Sequence, residues 1–121
     1  MGVFMNKKVI VIYSKDVEKT LNYLIATKEK NKINKSIYNS FISKLELIKN
    51  NPVCGDKIPQ IKIPKEYILN YKIDNLFRLE LSNYWRCLYS LIDEKNNKIE
   101  IIAFVIDFID HNEYNKKFKY K

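Results

Sequence analysis

Between Leu76 and Leu91 the chain alternates so regularly that few local structures suit it. Phe77, Leu79 and Leu81 interleave with Arg78 and Glu80, the period of two expected of a half-buried strand. After Ser82, Asn83 and Tyr84 comes Trp85-Arg86-Cys87-Leu88-Tyr89, rich in the aromatic and aliphatic residues that favour a pleated surface. The two arms read as a β-hairpin, and Asn83 tolerates the left-handed backbone of a tight turn. With Ser82, Asn83 and Tyr84 as the loop, Leu81 faces Trp85 and Glu80 faces Arg86. Phe77, Leu79, Leu81, Trp85, Cys87 and Tyr89 then share a buried face, and Arg78, Glu80 and Arg86 share the other. A slip of one residue would exchange the faces. Paired guanidiniums on an open face suit fork-like phosphate recognition. The plainer reading of the same residues is a Glu80–Arg86 ion pair on a solvated face, worth about a few tenths of a kcal/mol.

Length and charge narrow the rest. A chain of 121 residues is expected to form a single domain over 1–121, with room for one real core. Its 46% hydrophobic content, with 13% aromatic, excludes a disordered chain. A net charge of +8 favours an anionic partner, whether RNA, DNA, a membrane surface or an acidic protein. Cys54 and Cys87 form no CxxC pair and there is one histidine, so neither a disulfide framework nor a structural zinc site is expected. Cys87 reads as a small core residue. The stretch from Met1 to Lys8 lacks the long apolar run of a signal peptide. The longest apolar run, Ile101 to Ile106, is too short to span a bilayer. A soluble, reducing, cytoplasmic setting is expected, with no membrane partner.

In chain order, Val9 to Tyr13 is a β-branched run that predicts a fully buried strand. Ser14 then caps a helix with Asp16 and Glu18 in its first turn and Val17, Leu21, Leu24 and Ile25 on its apolar side. A second helix is expected from Asn34 to Asn50, with Ile37, Phe41, Leu45 and Ile48 as its stripe and Tyr38 and Ile42 beside it. Pro52, Gly55, Pro59 and Pro64 break up the next stretch, which needs a helical turn at Lys65 to Tyr71 to avoid an overlong loop. Lys57, Lys62 and Lys65 make that stretch basic. A polar turn is expected at Asp93 to Asn97, then a central strand from Ile99 to Asp107, then a polar tail helix or extended segment. The order β-α-α-β-β-β predicts an α+β fold, a helical hairpin packed on one face of a small, mostly antiparallel sheet.

This layout and the hairpin sequence resemble the RelE/ParE superfamily of type II toxin–antitoxin systems. Tyr84-Trp85-Arg86-Cys87-Leu88-Tyr89 is similar to that family's aromatic-Arg-Leu-x-Tyr strand, and Phe77-Arg78-Leu79 to the strand before it. His111 and Tyr114 resemble a shortened form of its C-terminal segment, although no arginine follows Arg86. The resemblance covers nearly the whole chain. It implies a RelE-like mRNA interferase, a ribosome-dependent endoribonuclease that inhibits translation by making the message's own 2′-hydroxyl attack the adjacent phosphate. No metal or other cofactor is implied. The implied partners are the ribosome, messenger RNA and a cognate antitoxin, acidic where it wraps the basic surface.

Under that implication Arg86 matches the phosphate-binding arginine and Arg78 is a second cation for the charge that builds on the nonbridging oxygens. His111 is the general acid, since histidine is the side chain whose ordinary pKa lies near neutrality. Tyr114 orients the scissile nucleotide or stacks on a base, or else pairs with Phe118 to hold the tail on the sheet. Glu80 is the nearest carboxylate for a base, at a position where some relatives carry lysine. Lys57, Lys62, Lys65 and Lys116 are candidate RNA-binding cations. Two alternatives stay open: a ParE-like inhibitor of DNA gyrase, and an inactive basic domain of the same fold that binds nucleic acid or a partner.

Overall fold

The computed structural model describes residues 2–4, 7–92 and 100–119, and side chains for residues 7–92 and 102–119. Strand β1 (Gly2–Phe4) and strand β2 (Lys7–Tyr13) precede helices α1 (Lys15–Thr27) and α2 (Lys32–Asn50). A short strand β3 (Asp56–Lys57), a single 3₁₀ turn at Gln60–Lys62 and helix α3 (Lys65–Tyr71) follow. The hairpin strands are β4 (Phe77–Glu80) and β5 (Arg86–Ile92), and strand β6 (Glu100–Ile109) leads into helix α4 (His111–Phe118). The strands form one sheet in the order β1-β2-β6-β5-β4-β3. Among the described residues β2 and β6 alone pair in parallel, and the other pairings are antiparallel. The fold is therefore α+β on a mostly antiparallel sheet, with β6 in its interior.

The hairpin adopts the expected register: Glu80 pairs with Arg86, Leu79 with Cys87 and Phe77 with Tyr89. Leu81 N donates to Trp85 O across the turn at 2.9 Å. Asn83 and Tyr84 close that turn with φ of 57° and 63°. The conformation is easy for asparagine and costs a bulky residue about 1–2 kcal/mol. The turn is fastened to α2, where Ser82 N donates to Ser40 Oγ at 3.0 Å and Ser36 Oγ to Ser82 Oγ at 2.9 Å.

Two apolar layers enclose half of the sheet. On one face the α2 stripe Ile37, Phe41, Leu45 and Ile48, with Val17 and Leu24 of α1, packs on Phe77, Leu81, Cys87, Tyr89 and Phe108. Phe41 stacks on Phe108 with ring centroids 4.5 Å apart. Opposite, Tyr67 of α3 and Tyr114 and Phe118 of α4 pack with Ile58, Ile63 and Leu76 on Leu88 and Ile106. A bulge separates the two pairings Leu88–Asp107 and Tyr89–Val105, leaving Ile106 as the extra residue. Bulges re-aim side chains, and here Ile106 joins the second layer while Asp107 reaches Tyr67.

Several expectations need correction. β2 is not fully buried, because the second layer covers β4 to β6 and leaves Ile12 43% exposed. Ile25 and Ile42 face outward, at the margin of their helices. α2 starts at Lys32, two residues early, since Asn31 Oδ1 accepts from Ile33 N and Asn34 N. β1 and β3 were not anticipated; strands of three and two residues carry no periodicity to read. β6 extends to Ile109, beyond Asp107. The polar turn expected at Asp93 to Asn97, and the start of the strand at Ile99, lie outside the described residues. Among the described residues no helix is long and apolar enough to cross a membrane.

Ser14 joins the two halves of the fold. Its hydroxyl accepts from Val17 N at 3.1 Å, capping α1, and donates to Ile106 O of β6 at 2.7 Å. Ser14→Ala therefore removes a helix cap and a buried hydrogen bond to the Ile106 carbonyl, and is expected to lower unfolding stability by about 1–3 kcal/mol. Urea denaturation followed by Trp85 fluorescence measures this, and an unchanged midpoint would contradict the role.

Candidate functional site

The chain has two arginines, Arg78 and Arg86, and the hairpin register turns both toward α4. They lie over one aromatic ring: the guanidinium carbons stand 5.7 and 5.4 Å from the Tyr114 centroid. The Tyr114 hydroxyl accepts from Arg78 Nη1 at 3.1 Å. Arg78 Nη2 meets Asp56 Oδ2 at 3.3 Å, and Arg86 Nη2 meets Glu80 Oε1 at 3.9 Å. Both Nε atoms are buried without a hydrogen-bond partner among the described residues. The Arg86 side chain is 13% exposed, whereas the Asp56 and Glu80 side chains are 74% and 65% exposed. Burial pulls the Arg78 pKa down, but the Tyr114 hydroxyl and Asp56 carboxylate more than reverse this, so the group is held charged.

The pair concentrates positive charge over one ring. Two cations with desolvated stems converge on one surface, and their present counter-ions sit in water. An exposed carboxylate–guanidinium pair stabilises by about 0–1 kcal/mol, so a phosphate offering bidentate geometry can displace either carboxylate at small cost. Glu80 is the cross-strand partner of Arg86, as the register requires.

Helix α4 sets the other side chains. Asp110 caps it, its Oδ1 accepting from Glu113 N at 2.9 Å. His111 is the first helical residue, two positions after Ile109, which pairs with Arg86 in the sheet. The exposed imidazole lies 6.1 Å, centroid to centroid, from the Tyr84 ring, and its Nε2 is 3.2 Å from Asn115 Nδ2. Tyr114 is 3% exposed and packs on Phe118 with centroids 4.3 Å apart. Its ring is enclosed, so the tail-holding role is the one the packing displays, and a base has no access to its face in this conformation.

The four candidate lysines separate. Lys62, Lys65 and Lys116 line one groove of about 550 Å³ between residues 61–66 and the end of α4, where Lys117 and Lys119 join them. Lys57 lies apart, beside a smaller hollow formed with Ile58, Gln60 and Asp74. Two participants had escaped the sequence reading. Asp56 reaches Arg78 only through the β3–β4 pairing. Tyr84 read as a turn residue, yet it is 74% exposed beside His111; the available signal was an aromatic where a turn prefers a small polar residue.

A buried polar cluster anchors α4. Tyr67 Oη donates to Asp107 Oδ2 at 2.6 Å, and Phe108 N donates to Oδ1 at 3.1 Å. Lys117 Nζ stands 3.7 Å from Asp107 Oδ2 and 3.2 Å from Glu66 Oε1. Burial pushes the Asp107 carboxyl above its ordinary range, against the pull of Tyr67 and Lys117, and pushes the Tyr67 phenol up as well. The Cys87 thiol, wholly buried, is pushed up to about 12. Among the described residues no group of three His, Cys, Asp or Glu could hold a metal ion.

Because the folded pKa of Asp107 is raised, the folded state binds its proton more tightly than the unfolded chain. Its contribution is greatest below the ordinary value of 3.8 and declines as pH climbs through the folded value. The stability of the unmutated protein relative to Asp107→Asn should fall as pH rises from about 3 to about 7. Paired denaturation curves across that range test it; a difference that grows toward neutrality would refute it. Native-state thiol labelling should likewise modify the half-buried Cys54 and spare Cys87, with both reacting after denaturation.

Compared with models of known protein families and with curated proteins, the chain matches none.

Proposed function

We propose that this chain is the toxin of a type II toxin–antitoxin system, an endoribonuclease of the RelE/ParE kind that cleaves messenger RNA on the ribosome. The observation that carries the reading is the pair of arginines held on one sheet face across a single tyrosine, with the imidazole at the start of the tyrosine's own helix. The order β2-α1-α2-β4-β5-β6, with both helices on one face, supports a RelE-like fold. The net charge of +8 suits a polyanionic substrate.

The chemistry assigned to these groups is transesterification. The message's 2′-oxygen attacks its neighbouring phosphorus as the bond to the 5′-oxygen breaks, leaving a 2′,3′-cyclic phosphate and a 5′-hydroxyl. Arg78 and Arg86 take the nonbridging oxygens in place of Asp56 and Glu80, and their hold strengthens as charge accumulates. Glu80, released from Arg86, accepts the 2′-hydroxyl proton, and His111 protonates the departing oxygen. Tyr114 positions both guanidiniums. The lysine groove beside α4 offers a track for the RNA backbone. An antitoxin with an acidic segment covers the same cations and keeps the enzyme silent.

Induced expression in a bacterial host should arrest growth and cut messages on ribosomes, leaving cyclic-phosphate ends. Arg86→Ala should lower the cleavage rate about 10²–10³-fold, and His111→Ala about 10²–10⁴-fold, with both variants folded by circular dichroism. Arrest with intact messages and a DNA-damage response would overturn this reading in favour of a gyrase inhibitor. A protein without toxicity would leave a binding domain.

A further inference from the structure

We infer that Tyr84 is a stacking platform for a nucleobase of single-stranded RNA, a subsite adjoining the phosphate pocket; the inference rests on the nuclease reading for its substrate class. Tyr84 is 74% exposed. Its phenol projects from a residue at φ 63°, a conformation that glycine or asparagine would adopt without strain. An aromatic ring is kept there against the backbone's own preference, and such strain persists where the surroundings over-determine it. The two serine contacts to α2 hold the base of the turn, so the ring stands on a fixed support.

The three consecutive residues divide their tasks. Trp85 packs inward on Phe108, with centroids 5.0 Å apart, and anchors the segment. Arg86 turns to the opposite face and joins Arg78 over Tyr114. Tyr84 stays in solvent with the His111 ring 6.1 Å away. The phenol and the guanidinium therefore come from the same tip of the hairpin, with the α4 imidazole beside the phenol. Tyr84 closes the turn and Arg86 opens β5 two residues later, at most about 7 Å of chain, close enough along the backbone for one nucleotide to place its phosphate on Arg86 and its base on Tyr84. Single-stranded RNA is held in this way, by cations on the backbone and aromatic faces under unstacked bases. The Tyr114 ring, enclosed beneath the arginines, leaves that stacking role to Tyr84.

The test compares two polyanions, a labelled single-stranded RNA of about ten nucleotides and an inorganic polyphosphate of matching charge. Tyr84→Gly should weaken RNA binding about 5- to 150-fold and leave polyphosphate binding unchanged, while Tyr84→Phe keeps the affinity. Arg86→Ala should weaken both ligands. Thermal melting guards against misfolding, since the glycine relieves the strained turn and should melt no lower than the unmutated protein. RNA affinity unaltered by Tyr84→Gly, an equal loss for both ligands, or no RNA binding by the unmutated protein would each overturn the platform. Ribosomal cleavage is scored separately. Cleavage that needs Arg86 while binding ignores Tyr84 sinks the platform alone, and Tyr84-dependent RNA binding without cleavage sinks the nuclease alone.

Discussion

The pairing of Glu80 with Arg86 is the constraint on which the rest of the molecule depends. Shifted by one residue, the hairpin would drive Arg78 and Arg86 into the layer now filled by Phe41 and Phe108, and each unpaired buried charge would cost several kcal/mol. The apolar face of the hairpin therefore selects the register, and the common face of the two arginines is its by-product. The same selection explains how Tyr84 endures a left-handed backbone. Leu81 and Trp85 on either side of the turn are fixed by their packing, and the residues between must span what remains.

A second dependence runs through the bulge at Ile106. A helix of eight residues is marginal in isolation, so α4 owes its place to tertiary contacts. Ile106 and Leu88 supply the apolar floor under Tyr114 and Phe118, and Asp107, re-aimed by the bulge, meets Lys117 and Tyr67. Burying that carboxylate is costly by itself; hydrogen bonds from Tyr67 and the Phe108 amide, with the nearby ammonium, offset the cost. A charged cluster on one side of the sheet thus positions the imidazole and the tyrosine of the candidate site on α4.

The positive charge is sorted by side-chain type. Both arginines stand over the Tyr114 ring, where a planar guanidinium can lie against an aromatic face with its stem desolvated. Lysines line the open groove at the end of α4, where their ammonium groups stay hydrated.

Periodicity by itself determined the helical hairpin, its buried stripe Ile37, Phe41, Leu45 and Ile48, and the register that sets Arg78, Glu80 and Arg86 on one face, while the limit on loop length placed the helix at Lys65 to Tyr71. These depend on contacts within one element or between strands joined by a short turn, so local pattern suffices. The tertiary structure alone decided the rest. Asp56 meets Arg78 across a strand of two residues, too short to leave a pattern. Tyr114 turned inward beneath the guanidiniums because α4 docks on a face that the sequence left uncovered. Ile25 and Ile42, apolar at helical spacing, faced outward because a stripe's edges are set by the width of the surface beneath it. Tyr84 emerged into solvent because the layers on both sides of the sheet left its backbone no other course.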